Sequence, residues 1–373
     1  MNQAAEFQLL SQLLSDVGVT VNGNGVGDMH IHDPALYQRI FKYGSLGLGE
    51  GYMDKQWDAD ALDDFFYKIL WGRLDEKIKH NWRALAHIVI NKLFNWQTKR
   101  HASTVAQKHY DLGNELFTRM LDSTMSYSCA YWGECDTLQQ AQLNKLRLIC
   151  DKLNLQPGMR VLEIGCGWGG FAKYAAEHYG VEVVGVTIST EQARYAKDYC
   201  KDFAVTILQQ DYRDVGGLFD RVVSIGMFEH VGYKNYRHYF KKVYDSLKPC
   251  GLFLLHTIGN NITEVTSEPW IKKYIFPHGM LPSIKQIGAT SEKLFIMEDW
   301  HNLSVNYDKT LMAWYDNFVA NWSTLSDRYD ERFYRMWTYY LQACAGAFRA
   351  RWLQCWQIVF AKQGVPGGYR SIR

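Results

Sequence analysis

Val161-Leu-Glu-Ile-Gly-Cys-Gly-Trp-Gly-Gly-Phe171 is the stretch whose reading decides the fold. Val161, Leu162 and Ile164 are strand formers. Gly165, Gly167, Gly169 and Gly170 let the backbone turn sharply and come close to a ligand. From Phe171 a helical pattern begins, with Ala172, Tyr174 and Ala175 placed for packing. Alone, a glycine-rich turn between strand and helix fits a dinucleotide, a nucleoside or nothing. The segments that follow sharpen it. Residues 181–189 form a second apolar strand ending in hydroxyls, 204–208 a third and 220–226 a fourth. Strand alternating with helix predicts an α/β, Rossmann-like parallel sheet. Ligands of such sheets sit beyond the carboxyl ends of the strands, where strand order reverses.

The 373 residues suffice for two domains, and a hydrophobic content of 47% supplies a sizeable core. A formal net charge of +2 argues against a nucleic-acid partner, whose binding rests on phosphate neutralisation. Aromatic residues reach 15%, which fits packed cores first and an aromatic-lined site second. The eight cysteines have no Cys-x-x-Cys spacing, and no secretory signal is evident; they read as reduced, cytoplasmic thiols, with no metal site expected. No apolar run is long enough to span a bilayer.

Ahead of the glycine turn, residues 4–17 predict an amphipathic helix, 19–21 and 29–32 short strands, and Asp33-Pro34 the start of another helix. The glycine-rich residues 44–51 read as a turn, since no βαβ unit follows. Residues 62–71 predict a helix. Residues 81–96 are apolar on one face, with Lys92, Lys99 and Arg100 nearby. That combination fits a packed interdomain helix with a solvated basic end, or contact with anionic phospholipid. The division is then residues 1–88, a linker at 89–105 and a second domain from 106 to 373.

The phrases Tyr127-Ser-Cys-Ala-Tyr-Trp132, Gly165-Cys-Gly-Trp-Gly-Gly170, Gly226-Met-Phe-Glu-His-Val-Gly232 and Leu255-His-Thr-Ile-Gly259 carry a resemblance over nearly the whole chain. It is to the class I S-adenosylmethionine methyltransferases, and within them to the cyclopropane-fatty-acyl-phospholipid synthases. Glu163 departs from the Asp frequent in that strand but keeps the carboxylate. The resemblance implies that Tyr127, Ser128, Glu163, Gly165, Gly167, Gly169, Thr187, Ser189, Gln192, Gln210, Asp211 and Tyr212 surround S-adenosylmethionine. The competing reading of the polar members is capping and turn formation. It further implies that Cys129, Glu229, His256, Ile258 and Tyr307 hold a catalytic bicarbonate ion, Ile258 through its backbone.

The apolar insertion at 269–282 offers Trp270, Tyr274, Phe276 and Met280 for an acyl-chain slot, or equally for a subdomain core. Tyr307 is expected on a loop before a helix at 310–322. The resemblance makes residues 1–88 a lipid-engaging domain. It also makes the chain a peripheral, homodimeric enzyme at the inner face of the membrane. Its substrate would be an unsaturated phospholipid and its product a cyclopropane ring. A related methyltransferase that stops before ring closure, and a lipid-binding module without activity, are the alternatives.

Overall fold

The computed structural model describes residues 3–80, 113–277 and 279–373. Among them β1 (His30–Ile31) pairs with β2 (Trp57–Asp58), and seven further strands form one sheet. These are β3 (Arg160–Ile164), β4 (Glu182–Thr187), β5 (Val205–Gln209), β6 (Phe219–Ile225), β7 (Leu247–Asn260), β8 (Ile296–Asn302) and β9 (Leu353–Ala361). Their order is β5-β4-β3-β6-β7-β9-β8. The first five are parallel, and β9 is antiparallel to both its neighbours. The four strands read from the sequence are thus β3 to β6.

Alternation along these strands splits the core between the two faces. Val161 and Val183 pack with Leu146, Ile149, Phe171 and Ala175, from the helices Leu138–Lys152 and Gly170–Tyr179. Leu162, Ile164, Val184 and Val186 pack on the opposite side with Tyr239, Phe240 and Val243 of the helix Tyr236–Ser246. Each such buried apolar side chain contributes roughly 1.5–3 kcal/mol. β3 lies between β4 and β6, so the order reverses there and opens a crevice at their carboxyl ends.

The chain forms two compact units, neither of them continuous in sequence. One comprises Met1–Leu116, Ser267–Pro277 and Leu311–Trp352; the other comprises Phe117–Thr266, His278–Thr310 and Leu353–Arg373. In the first, only Gly44 makes the expected turn, at φ 60°; residues 45–51 belong instead to a helix, Ser45–Met53. Each glycine costs such a helix about 1 kcal/mol relative to alanine. Packing explains why they are there. A Cβ at Gly47 would lie 2.3 Å from the Arg39 carbonyl oxygen, at Gly49 2.4 Å from the Trp270 ring, and at Gly51 2.4 Å from Leu36. The same unit seats Trp270 against Tyr339, with ring centroids 4.5 Å apart, and holds Arg335 4.0 Å above the Tyr52 ring.

Two further expectations change. Residues 19–21 make a single bridge, Val21 to Met29, rather than a strand. The helix expected from residue 310 starts earlier, as Ser304–Ala320, and so takes in Tyr307. Asn302 Oδ1 accepts from the Ser304 amide at 3.0 Å, giving the helix an earlier start. The expected helix at 81–96, its basic residues and the linker at 89–105 lie outside the described residues.

Candidate active site

The crevice has two sides. At the ends of β3 to β5, left-handed glycines make the turn: Gly165 at φ 82°, Gly167 at φ 51° and Gly169 at φ 88°. A Cβ at Gly165 would meet Met227 at 2.7 Å, and one at Gly169 would meet Cys200 Sγ at 2.8 Å. At Gly167 it would meet nothing within 4 Å among the described residues, so they leave this backbone open. Thr187 Oγ1 donates to Gln192 Oε1 at 2.9 Å, and Ser189 Oγ caps the helix Thr190–Tyr199 through the Gln192 amide at 3.3 Å. The Gln210 amide donates to the Thr187 carbonyl at 3.1 Å. Asp211 accepts from Arg213 Nε at 2.8 Å and Nη2 at 2.6 Å, which holds its carboxyl below the usual range. Tyr212 lies edge-on to Tyr239 at 5.2 Å.

Beneath the turn Glu163 is buried, and burial pushes its carboxyl well above the ordinary value. Lys145 and the Ala172 amide oppose that shift. Lys145 reaches Ser126 Oγ and Ser128 Oγ, each at 3.2 Å, and burial lowers its pKa to about 8. Tyr127 meets Phe117 edge-on at 5.2 Å, and Phe117 packs against Trp168 at 4.9 Å.

The other side belongs to β6, β7 and β9. Glu229 lies in the 3-10 turn Phe228–His230 just past β6 and is 6% exposed. Its Oε1 accepts the Ile258 amide at 2.6 Å, while its Oε2 is buried with no hydrogen-bond partner among the described residues. Burial raises the Glu229 pKa to about 7, against opposing backbone hydrogen bonds. His256 on β7 is 2% exposed; burial, Lys145 and Lys152 hold it neutral, well below its ordinary pKa. Its Nε2 lies 3.4 Å from Cys355 Sγ and its Nδ1 3.3 Å from Gln357 Nε2.

Tyr307 is buried within electrostatic reach of Cys355, Cys129, Tyr127 and Glu229, and burial raises its phenol pKa well above the ordinary value. The Cys129 thiol lies 3.7 Å from the Leu303 carbonyl. Four of the five residues expected around an anion therefore converge. Ile258 joins them through its amide, which is engaged by Glu229. Met280 is part of the core beside Tyr236, and its amide donates to the Glu229 carbonyl at 2.8 Å. Trp270, Tyr274 and Phe276 lie in the first compact unit. There Trp270 is buried under Gly49, and Tyr274 donates to Glu50 at 2.8 Å.

Lys145, Lys152, Cys355 and Gln357 were not read from the sequence as site residues. A signal existed for the lysines: Ala141, Lys145, Leu148 and Lys152 fall on one buried helix face.

Strand order, a glycine turn after β3 and polar groups gathered at the carboxyl edge define a class I S-adenosylmethionine-dependent methyltransferase. The sequence pattern of the mycolic acid cyclopropane synthetase family matches residues 97–358, and the chain belongs to that family. It is 54% identical over 367 residues to the cyclopropane-fatty-acyl-phospholipid synthase of Escherichia coli K12, covering 98% of this chain and 96% of that one. The tuberculostearic acid methyltransferase of Mycobacterium tuberculosis is 33% identical, over 91% of this chain and 84% of its own. The solved structure of mycolic acid cyclopropane synthase CmaA1 complexed with SAH and CTAB is 35% identical. It superposes with a TM-score of 0.65, over 71% of this chain and 99% of that one.

Proposed function

We propose that this enzyme forms a cyclopropane ring across the cis double bond of an unsaturated phospholipid acyl chain. The observation that carries the reading is the buried Glu229 carboxylate. One oxygen is fixed by the Ile258 amide and the other has no partner among the described residues, with Tyr307, Cys129 and the His256–Cys355 pair close by. The 54% identity to a cyclopropane-fatty-acyl-phospholipid synthase supports the substrate class.

When bound, S-adenosylmethionine supplies an electrophilic methyl group on a sulfonium. The open backbone at Gly167 and the hydroxyl and carboxylate groups of Thr187, Ser189 and Asp211 fit that cofactor. An isolated alkene is a weak nucleophile, and its methylation leaves a carbocation. Ring closure then needs a proton removed from the new methyl. A bicarbonate ion held near Glu229 would supply the base for that proton. With a pKa of about 7, Glu229 can donate from Oε2 when protonated and accept when ionised, so an anion beside it meets no fixed negative charge. Neutral His256 and the Tyr307 hydroxyl offer further hydrogen bonds. Burial of all three keeps water from the cation.

Residues 1–88 engage the lipid in this reading, and the enzyme works as a homodimer peripheral to the inner face of the membrane. No described helix is long and apolar enough to cross a bilayer. Changing Lys92, Lys99 and Arg100 together to Gln is expected to weaken binding to anionic vesicles, most at low salt. Equal vesicle binding would remove the basic segment from the scheme, and sedimentation equilibrium reads the dimer.

The deciding experiment incubates unsaturated phospholipid vesicles with labelled S-adenosylmethionine, in carbonate-depleted buffer with and without added bicarbonate. Mass spectrometry of the lipids should find cyclopropane chains, formed faster with bicarbonate. Methyl-branched chains alone would favour the second reading, to which the tuberculostearic acid methyltransferase likeness points. Equal rates in both buffers would remove the anion from the mechanism.

A further inference from the structure

Behind His256 lies a line of buried polar groups that the proposed chemistry does not use. His256 and Gln357 are register partners across β7 and β9. Gln357 Oε1 accepts from Lys152 Nζ at 2.9 Å, and Lys152 is fully buried at the end of the helix Leu138–Lys152. Lys152 also meets His301 Nδ1 at 2.9 Å and the Asp299 carboxylate at 3.7 Å. Arg373 clamps Asp299 through Nη1 at 2.7 Å and Nη2 at 2.6 Å.

The donor rules fix the direction of this line. In its charged form Lys152 only donates, and Gln357 then turns its oxygen to it. Its amide N–H₂ then faces His256 Nδ1, 3.3 Å away, and that nitrogen has to accept. A histidinium could not, since both of its nitrogens donate. Neutral His256 therefore carries its one proton on Nε2, facing Cys355 Sγ at 3.4 Å, with Cys129 beside that thiol.

We infer that Lys152 and Gln357 are positioning residues that lock His256 in the Nε2–H tautomer, so that its ring N–H is presented on the Cys129 and Cys355 side of the site. The inference rests on His256 belonging to the proton-accepting site. Without Lys152 the Gln357 amide has no reason to prefer one orientation, and His256 would populate both tautomers. Burial depresses Lys152 to a pKa of about 7; Asp299 opposes the shift and Arg373 adds to it. The Asp299–Arg373 pair thus helps to set the charge on which the amide orientation depends.

The test uses the full chain labelled with ¹⁵N-histidine. Two-bond proton–nitrogen spectra separate the tautomers, and the His256 signals are assigned by their loss in His256→Ala. Wild type is expected to show the Nε2–H pattern. Gln357→Glu keeps the size and the Lys152 contact but replaces the amide donor with an acceptor, and should move His256 to Nδ1–H. Its kcat should fall about 10- to 100-fold, with KM for lipid and cofactor nearly unchanged, as for a correctly placed histidine in the wrong tautomer. A wild-type Nδ1–H pattern overturns the inference whether or not any variant folds. So does a folded Gln357→Glu with an unaltered spectrum or unaltered kcat. Full turnover in His256→Ala would instead remove His256 from the chemistry while leaving the tautomer result standing, so the two failures are distinguishable.

Discussion

The two sides of the crevice are built on opposite principles. At the ends of β4 and β5 the polar side chains are satisfied by their own neighbours: Thr187 by Gln192, Ser189 by the helix it caps, Asp211 by Arg213; buried Glu163 inside β3 is the exception, with Oε2 unpartnered among the described residues. Asp211 and Arg213 are also solvent-accessible. At the ends of β6 and β7 the polar groups are buried and their pKa values displaced, and Glu229 keeps one oxygen without a partner among the described residues. The β4 and β5 groups hold one another in place. The second side carries desolvation cost that a ligand can relieve, as groups tuned for proton chemistry do.

The sharpest test of this contrast is Glu229→Gln. It keeps the shape and should lower turnover by about 10²- to 10⁴-fold, the range for a lost acid–base function, with cofactor affinity by calorimetry mostly retained. A nearly active variant would erase the difference between the two sides. The same substitution should also alter the dependence of stability on pH. Glu229 titrates at about 7 when folded and near the ordinary glutamate value of 4.5 when unfolded. Between these values the folded chain binds more protons, so its stability falls as pH rises, by about 3 kcal/mol in total. Glu229→Gln removes that loss. Its melting temperature relative to wild type should climb from pH 4.5 to pH 8, and a flat difference would mean that Glu229 is not strained by burial.

Effects on the other side should be smaller. Gly167→Val places a branched side chain at φ 51°, costing about 1–2 kcal/mol in backbone strain, and fills the open space facing the turn. Calorimetry should show cofactor affinity reduced about tenfold or more in a folded protein. Unchanged affinity would show that the ligand does not approach this backbone. Smallest is Asp211→Asn, which weakens a half-exposed ion pair. Thermal stability should change by less than about 1 kcal/mol, with a modest loss of cofactor affinity. A collapse of the fold would show that this accessible pair carries far more than a surface ion pair does.

What the sequence disclosed follows the same contrast. Local patterns announced the glycine turn, the four parallel strands and the hydroxyls at the end of β4, because each depends on residues adjacent in the chain. Glu229 and His256 lie in motif phrases, and Tyr307 was named only through the family resemblance those phrases carry. Their convergence depends on β6, β7 and the helix Ser304–Ala320 meeting in space. Gln357 was invisible because it sits in an apolar strand and acquires its role only by register with His256, 101 residues away. Residues 45–51 misled for a related reason. Glycine signals a turn locally, but Gly49 is required by Trp270, which lies far along the chain.

That glycine-bearing helix has a consequence for how the chain is made. Its own propensity is poor, and the rings that cover this region, Trp270 and Tyr339, leave the ribosome more than two hundred residues later. At about 5–20 residues per second, a nascent chain carries an incomplete first unit for roughly ten seconds to a minute. Through that interval Tyr52 lacks Tyr339 and Arg335 and is open to chaperones or to misassociation. A fragment starting at residue 106 inherits the mirror-image defect, with Trp270 and the helix Glu331–Arg349 deprived of the segment that buries them. Such a fragment is expected to aggregate rather than fold, so this unit can be assembled only once most of the message has been read.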